Sequence, residues 1–250
     1  APKIEALKNC FDNNSDGGGF MYVNNGRVII DKGYMTKKAF IKRYKELKQR
    51  FNNFNDMNLV IHCRIGTSGK NTPQFTHPYI ITNDLAKMKE THAACDVGLA
   101  HNGILHDYTP SNKKSNDTMQ FIKRYIFRRY KHKKLFNDIT RNEIISTGSK
   151  FAILTKDDKL YLYGDFIKDG VYYSNDSYKK YEYYKVSIET TKSEYTSYED
   201  SLNISEAQDD KQRQMVFKVT NNGEKAIDYV DLTIIYFKNN NIIGIESDIT

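Results

Sequence analysis

The chain has 250 residues, and 38 Lys+Arg against 31 Asp+Glu give it a formal net charge of +7. Its 14 Gly and 4 Pro exclude a collagen-like or low-complexity chain, and no apolar run approaches the roughly 20 residues needed to cross a bilayer. Three scattered cysteines, Cys10, Cys63 and Cys95, argue against a disulfide scaffold and for a reducing, cytoplasmic compartment. The opening stretch Ala1 to Cys10 is charged and has no apolar core, so no signal peptide is expected in it.

A short helix is expected over Ile4 to Phe11, with Cys10 on it. Asp16-Gly17-Gly18-Gly19 is a bend where backbone passes close to a neighbour. Residues 20–30 form a hairpin about Asn24-Asn25-Gly26, since Asn-Gly supplies the positive φ angles of a tight turn. Thr36 caps a helix running to about Phe51, with Phe40, Tyr44 and Leu47 on one face. Leu59 to Arg64 and Val97 to His101 are short buried strands, and Cys95 lies in a loop before the second. Asp117-Thr118 opens a helix with Phe121, Ile122, Tyr125 and Ile126 on one side. Phe151–Thr155 and Leu160–Gly164 pair about Asp157-Asp158, and Val171–Ser174 adds a strand.

This order predicts an α+β domain with mostly antiparallel sheets over 1–186. A polar linker follows over 187–214, and 215–250 becomes β-rich, with alternation in Val230, Leu232, Ile234 and Tyr236. That last segment is a partial β-sandwich-like module, about a third of an immunoglobulin-sized one. It is expected either to pair with another subunit, making a homo-oligomer, or to continue past Thr250.

Three segments carry chemistry: His62-Cys63-Arg64-Ile65-Gly66-Thr67-Ser68-Gly69 and His101-Asn102-Gly103 at strand ends, and Ser115-Asn116-Asp117-Thr118 at a helix start, with Thr76-His77-Pro78 between them. Taken singly, each has a plain structural reading as a surface ion pair, a turn or a cap. In this order they resemble the class II glutamine amidotransferases, a family of N-terminal-nucleophile hydrolases. That family carries His-x-Arg-x-x-Thr-x-Gly, then Asn-x-His-Pro or similar, then His-Asn-Gly, then Ser-x-Asp-Thr. Asp16-Gly17-Gly18-Gly19-Phe20 resembles its Asp-Gly-x-Gly-Phe segment. Gly164-Asp165-Phe166 and Gly170 to Asn175 look most like short stand-alone members from bacteria and phages.

The resemblance implies a four-layer αββα sandwich and hydrolysis of the glutamine side-chain amide to glutamate and ammonia, or of a related amide, without metal or cofactor. The planar fork of Arg64 suits a substrate carboxylate, and Thr67 adds a hydroxyl donor. The resemblance assigns Asp117 to the substrate ammonium, and Asn102 and Gly103 to the oxyanion. One such donor lowers the barrier by roughly 3–4 kcal/mol. His77 and His101 are expected to hold loops by hydrogen bonds. In the family the nucleophile is an N-terminal Cys whose own α-amino group is the base. It opens a strand well upstream of the Asp-Gly-x-Gly-Phe segment, whereas Ala1 lies only 15 positions before Asp16. A Cys and a strand are therefore expected ahead of Ala1. The alternative is a catalytically inactive binding or virion-associated protein on the same fold.

Other signals are weaker. Lys123 to Lys134 holds seven Lys+Arg and no acid, with Tyr125, Phe127 and Tyr130 interleaved. A solvated helix face with inward aromatics is expected, and a nucleic-acid surface is the alternative. Asp12 to Gly17 matches half a calcium loop, but Val23 occupies the position of the bidentate Glu, so a polar turn is expected. No Cys or His spacing suggests a transition-metal site.

Overall fold

The computed structural model describes residues 1–67 and 69–180, and the strands 186–191, 216–221, 231–238 and 241–249. It divides into two compact units, Ala1–Lys180 and Tyr181–Thr250.

The first unit is mixed α+β with antiparallel sheets. Helix α1 (Ile4–Asn13) precedes a hairpin of β1 (Gly18–Asn24) and β2 (Arg27–Tyr34). Asn25 and Gly26 turn the chain at φ 49° and 67°, as the Asn-Gly pair predicts. Helix α2 (Lys37–Arg50) starts at Thr36, whose side chain accepts the Ala39 N–H. Strand β3 (Leu59–Cys63) pairs with β1, and β5 (His92–Cys95) pairs with β2, giving the sheet order β3-β1-β2-β5.

The second sheet has the order β4-β6-β7-β8, built from β4 (Tyr79–Ile80), β6 (Val97–Asn102), β7 (Lys150–Thr155) and β8 (Leu160–Tyr163). Between β4 and β5 lies α3 (Leu85–Met88), capped by Asp84. After β6 come α4 (Asp117–Phe121), a π-helical turn (Ile122–Ile126), α5 (Phe127–Lys131) and α6 (Asp138–Ile145). A small hairpin of β9 (Ile167–Asp169) and β10 (Val171–Tyr173) follows β8.

Both faces of each sheet are buried, because strand alternation sends side chains to opposite sides. From β1, Phe20 and Tyr22 join Leu7, Phe11, Phe40, Tyr44 and Leu47 of α1 and α2. Met21 points the other way, into a core with Val28, Ile30, Val60, Ala100 and Leu154, between the two sheets. From the second sheet, Leu99, Phe151 and Ile153 pack on Met119, Phe121, Ile122, Ile126 and Ile144 of the later helices. A Cβ at Gly98 would lie 2.4 Å from Met21 Sδ, so this glycine sets how closely the sheets approach.

Two expectations are corrected. Cys95 ends β5 and is buried, because Cys95 pairs with Val28 and its thiol donates to Val97 O at 3.3 Å. Residues 187–191, expected in a polar linker, belong to β11 (Val186–Thr191), which pairs with β12 (Val216–Asn221). Alternating Val and Ile followed by two threonines is a strand pattern despite its polarity. The rest of the expected linker, 192–214, lies outside the described residues. In the second unit β13 (Asp231–Lys238) pairs antiparallel with β14 (Asn241–Ile249).

Candidate functional site

A cleft of about 740 Å³ in the first unit is lined by Arg64, Thr67, Asn102, Gly103 and Asp117, together with His62, His77 and His101. The five residues given a site role in the sequence, Arg64, Thr67, Asn102, Gly103 and Asp117, come from a loop after β3, the end of β6 with the residue that follows, and the start of α4, and all five line one opening.

Arg64 is locked in place from both sides. Its N–H donates to Gly17 O at 2.8 Å, and its carbonyl accepts the Asp16 N–H at 2.9 Å. The Asp16 carboxylate accepts the Gly66 N–H at 2.8 Å, so the Asp-Gly bend buttresses the loop that carries the arginine. The Arg64 guanidinium donates to Asn71 Oδ1 at 2.7 Å and is only 4% exposed. Thr67 stands at the exposed rim of the cleft, its N–H bonded to Ile65 O at 3.1 Å.

Asp117 opens α4 and is 5% exposed. One carboxylate oxygen accepts the Leu105 N–H at 2.9 Å and the other the Thr118 N–H at 2.8 Å. Asn116 caps the helix by accepting the Met119 N–H, while its amide donates to Tyr79 at 2.8 Å. A chain of polar contacts thus ties the helix start to the second sheet.

Asn102 ends β6, and its side-chain amide donates to Ser174 Oγ at 2.6 Å. The Lys150 ammonium in turn donates to Ser174 O. Gly103 follows at φ +139°, and a Cβ there would lie 2.3 Å from Ser149 Oγ. Only glycine meets both the backbone angle and the space.

Three histidine rings lie against one another behind these groups. The His62 and His77 centroids are 4.3 Å apart, and those of His77 and His101 are 6.2 Å apart. His62 Nε2 is 2.9 Å from His101 O and carries the proton, because a carbonyl can only accept. His77 Nδ1 accepts the His101 N–H at 3.3 Å, and His101 Nδ1 meets Thr118 Oγ1 at 2.8 Å. His77 and His101 therefore tie β6 to α4 and to the loop before β4. Desolvation pushes His62 down to about 4 and His101 down to about 3, and burial lowers His77 as well. All three are neutral at pH 7, so none adds positive charge beside Arg64. His62 Nδ1 and His101 Nε2 have no hydrogen-bond partner among the described residues.

No family model matches the chain, and no curated protein matches it either.

Two thiols also line the cleft, Cys10 and Cys63. Burial raises Cys10 and pushes Cys63 well up, while buried Cys95 is raised to about 12. A nucleophilic cysteine needs the opposite shift. On Cys63 this agrees with strand alternation, which turns it towards Leu7 and Phe11 while His62 meets the second sheet.

Sequence reasoning missed Ser174, Lys150 and Asn71. Lys150 and Asn71 lie in a strand and a loop with no recognisable spacing, Ser174 lies in the Gly170–Asn175 segment with no role attached to it, and each matters through a partner elsewhere in the chain. Chemically, the cleft offers a buried cation, a buried carboxylate and an amide donor beside a glycine, the groups that an amino-acid zwitterion and a developing oxyanion require.

Proposed function

We propose that this protein is a class II glutamine amidotransferase-like amide hydrolase, converting glutamine or a related amide to the acid and ammonia. The observation that carries this reading is the convergence of Arg64, Thr67, Asn102, Gly103 and Asp117 on one cleft. The succession of helices, sheet, sheet and helices around three cores supports an N-terminal-nucleophile αββα arrangement. The open edge of β3 supports it too. Among the described residues β3 pairs with β1 alone, and Leu59 to Cys63 all line the cleft. A strand ahead of Ala1 carrying an N-terminal Cys would pair there and reach the site.

In this mechanism Arg64 grips the substrate α-carboxylate and Asp117 its ammonium. The Cys thiolate attacks the amide carbon, its proton having gone to the α-amino group. Negative charge moves to the amide oxygen, which accepts from the Asn102 amide and the Gly103 N–H. Ammonia leaves with the proton, and water then cleaves the thioester to give the carboxylic acid. The Asn102 amide must first release Ser174 Oγ, which now accepts its hydrogen bond. We place the reaction in the cytoplasm of a bacterial or phage-infected cell, where three free thiols would persist. The C-terminal strands are the proposed contact for a second subunit or another protein.

A second reading is a catalytically silent binding or virion-associated protein on the same fold. The raised thiols favour it, since none of the chain's own cysteines is activated. The two are separated by a glutaminase assay and by labelling with a glutamine-mimicking diazoketone, both on protein with its native N-terminus. Turnover and labelling are expected, and Arg64→Ala should lose both at glutamine or label concentrations well below its raised KM. An intact, folded protein that neither releases ammonia nor takes the label overturns the proposal.

A further inference from the structure

The helical segment that supplies Asp117 to the cleft carries a different chemistry farther along. From Asp117 it runs through the π-helical turn and α5 to Lys131, about 22 Å at 1.5 Å per residue. Lys123, Arg124, Arg128, Lys131, Lys133 and Lys134 are all exposed.

Two arginines of this segment already have partners. Arg129 pairs with Glu143 at 3.1 Å and lies 4.4 Å from the Tyr125 ring centroid, and Arg124 lies 5.2 Å from that of Tyr108. Lys123, Arg128, Lys131, Lys133 and Lys134 have no ion-pair partner among the described residues. Five cations left without carboxylates on one short stretch make a concentrated positive field. It sits on a chain already at +7.

The aromatic side chains decide what kind of polyanion this face suits. Tyr125, Phe127 and Tyr130 pack against the core beneath the helix, with Tyr125 stacked on Phe121 at 5.1 Å. They are not offered as platforms for unpaired bases, which single-strand binding uses. A lipid surface would need an apolar face beside the charges. Of the exposed apolar residues that follow, Phe136 is stacked on Tyr161 at 4.2 Å, which leaves Ile139 at 70% exposure and Ile145, six residues on and less exposed, too few for a continuous apolar face. The segment offers exposed cations with nothing to insert, which suits phosphates better than unstacked bases or a lipid interior.

We propose that the face formed by residues 123–134 binds duplex nucleic acid through its phosphate backbone, without reading sequence. Binding is by counterion release and depends on the cations, not on the cleft.

The test uses the full chain and a fluorescent duplex of mixed sequence, followed by anisotropy between 50 and 200 mM salt. With four or five phosphate contacts and a slope of about −0.9 per contact, affinity should fall by roughly 150- to 500-fold over that range. Lys123→Gln/Arg128→Gln/Lys131→Gln/Lys134→Gln keeps good helix formers at the three helical positions, leaves Lys133 at its positive φ untouched, and should melt like the parent. It is expected to bind at least about 30-fold more weakly and to lose about 3–4 from the slope. A second duplex of unrelated sequence should bind equally well. A flat salt response, or a folded quadruple variant that binds like the parent, overturns the proposal. So does tighter binding to single-stranded oligonucleotide. Retention on phosphatidylcholine–phosphatidylserine vesicles without duplex binding also overturns it.

Discussion

Arg64 and Asn102 make different demands on a substrate, and kinetics should separate them. Arg64 would hold a carboxylate that is charged before, during and after the reaction, so its loss weakens ground-state and transition-state binding alike. Arg64→Ala is expected to raise KM by about 10²-fold, the equivalent of roughly 3 kcal/mol for a charge-assisted bidentate pair. The Asn102 amide would meet an oxygen that becomes charged only in the transition state. Asn102→Ala should lower kcat by about 10²–10³-fold and leave KM nearly unchanged. Steady-state glutaminase kinetics on protein with its native N-terminus check both. Equal effects on KM and kcat in the two variants would remove the distinction between clamp and oxyanion donor.

Among the elements, the contact between the two sheets is tightly constrained. With Met21 Sδ 2.4 Å from where a Cβ at Gly98 would sit, Gly98→Ala forces the sheets apart or the thioether aside. A loss of about 1–3 kcal/mol is expected by chemical denaturation. Because the clash is with one side chain, Gly98→Ala combined with Met21→Ala should cost less than the sum of the two singles. Strict additivity would show that Gly98 matters for its backbone instead. These elements were largely legible in the chain. Asn25-Gly26 announced the hairpin, Thr36 the cap of α2, and the run from Leu59 the strand before Arg64. Their legibility comes from local physics, a turn that needs positive φ or a hydroxyl placed for an orphan N–H. The missed elements are short or weakly patterned: β4 has two residues, α3 four, and α6 exposes Ile139. In the cleft, Arg64, Asn102, Gly103 and Asp117 were singled out by the resemblance their ordered motifs carry, and all four line it. The partners that fix them, Asn71 and Ser174, were invisible because only tertiary contact gives them a role.

At the scale of the whole molecule, the neutral histidines set how stability responds to acid. The pKa values of His62 and His101 are lowered to about 4 and about 3, against about 6.5 in the unfolded chain. Between those values the unfolded state binds more protons, so stability falls as pH drops from about 6.5 towards 4 and is fully present above 6.5. Denaturation midpoints measured from pH 7.5 to 4 should decline, and His62→Gln with His101→Gln should flatten the decline. A midpoint that is level down to pH 4.5 would contradict the neutral cluster. The three cores all lie within Ala1–Lys180, so a chain ending at Lys180 should fold with a cooperative melt of its own. Loss of that melt would show that the first unit depends on the second.

Among the described residues β3 has no strand on its second edge, and this has a consequence apart from catalysis. Natural sheets blunt exposed edges with lysine, proline or a bulge. Leu59-Val60-Ile61-His62-Cys63 has none of these, and its register with β1 runs unbroken from Leu59 to Cys63. Left uncovered, that row of amides and carbonyls is a template for pairing with another molecule. Protein starting at Ala1 is expected to self-associate with rising concentration by light scattering. A preceding strand fused ahead of Ala1 should keep it monodisperse. Handling of this protein would then be governed by a single backbone edge more than by any side chain in the cleft.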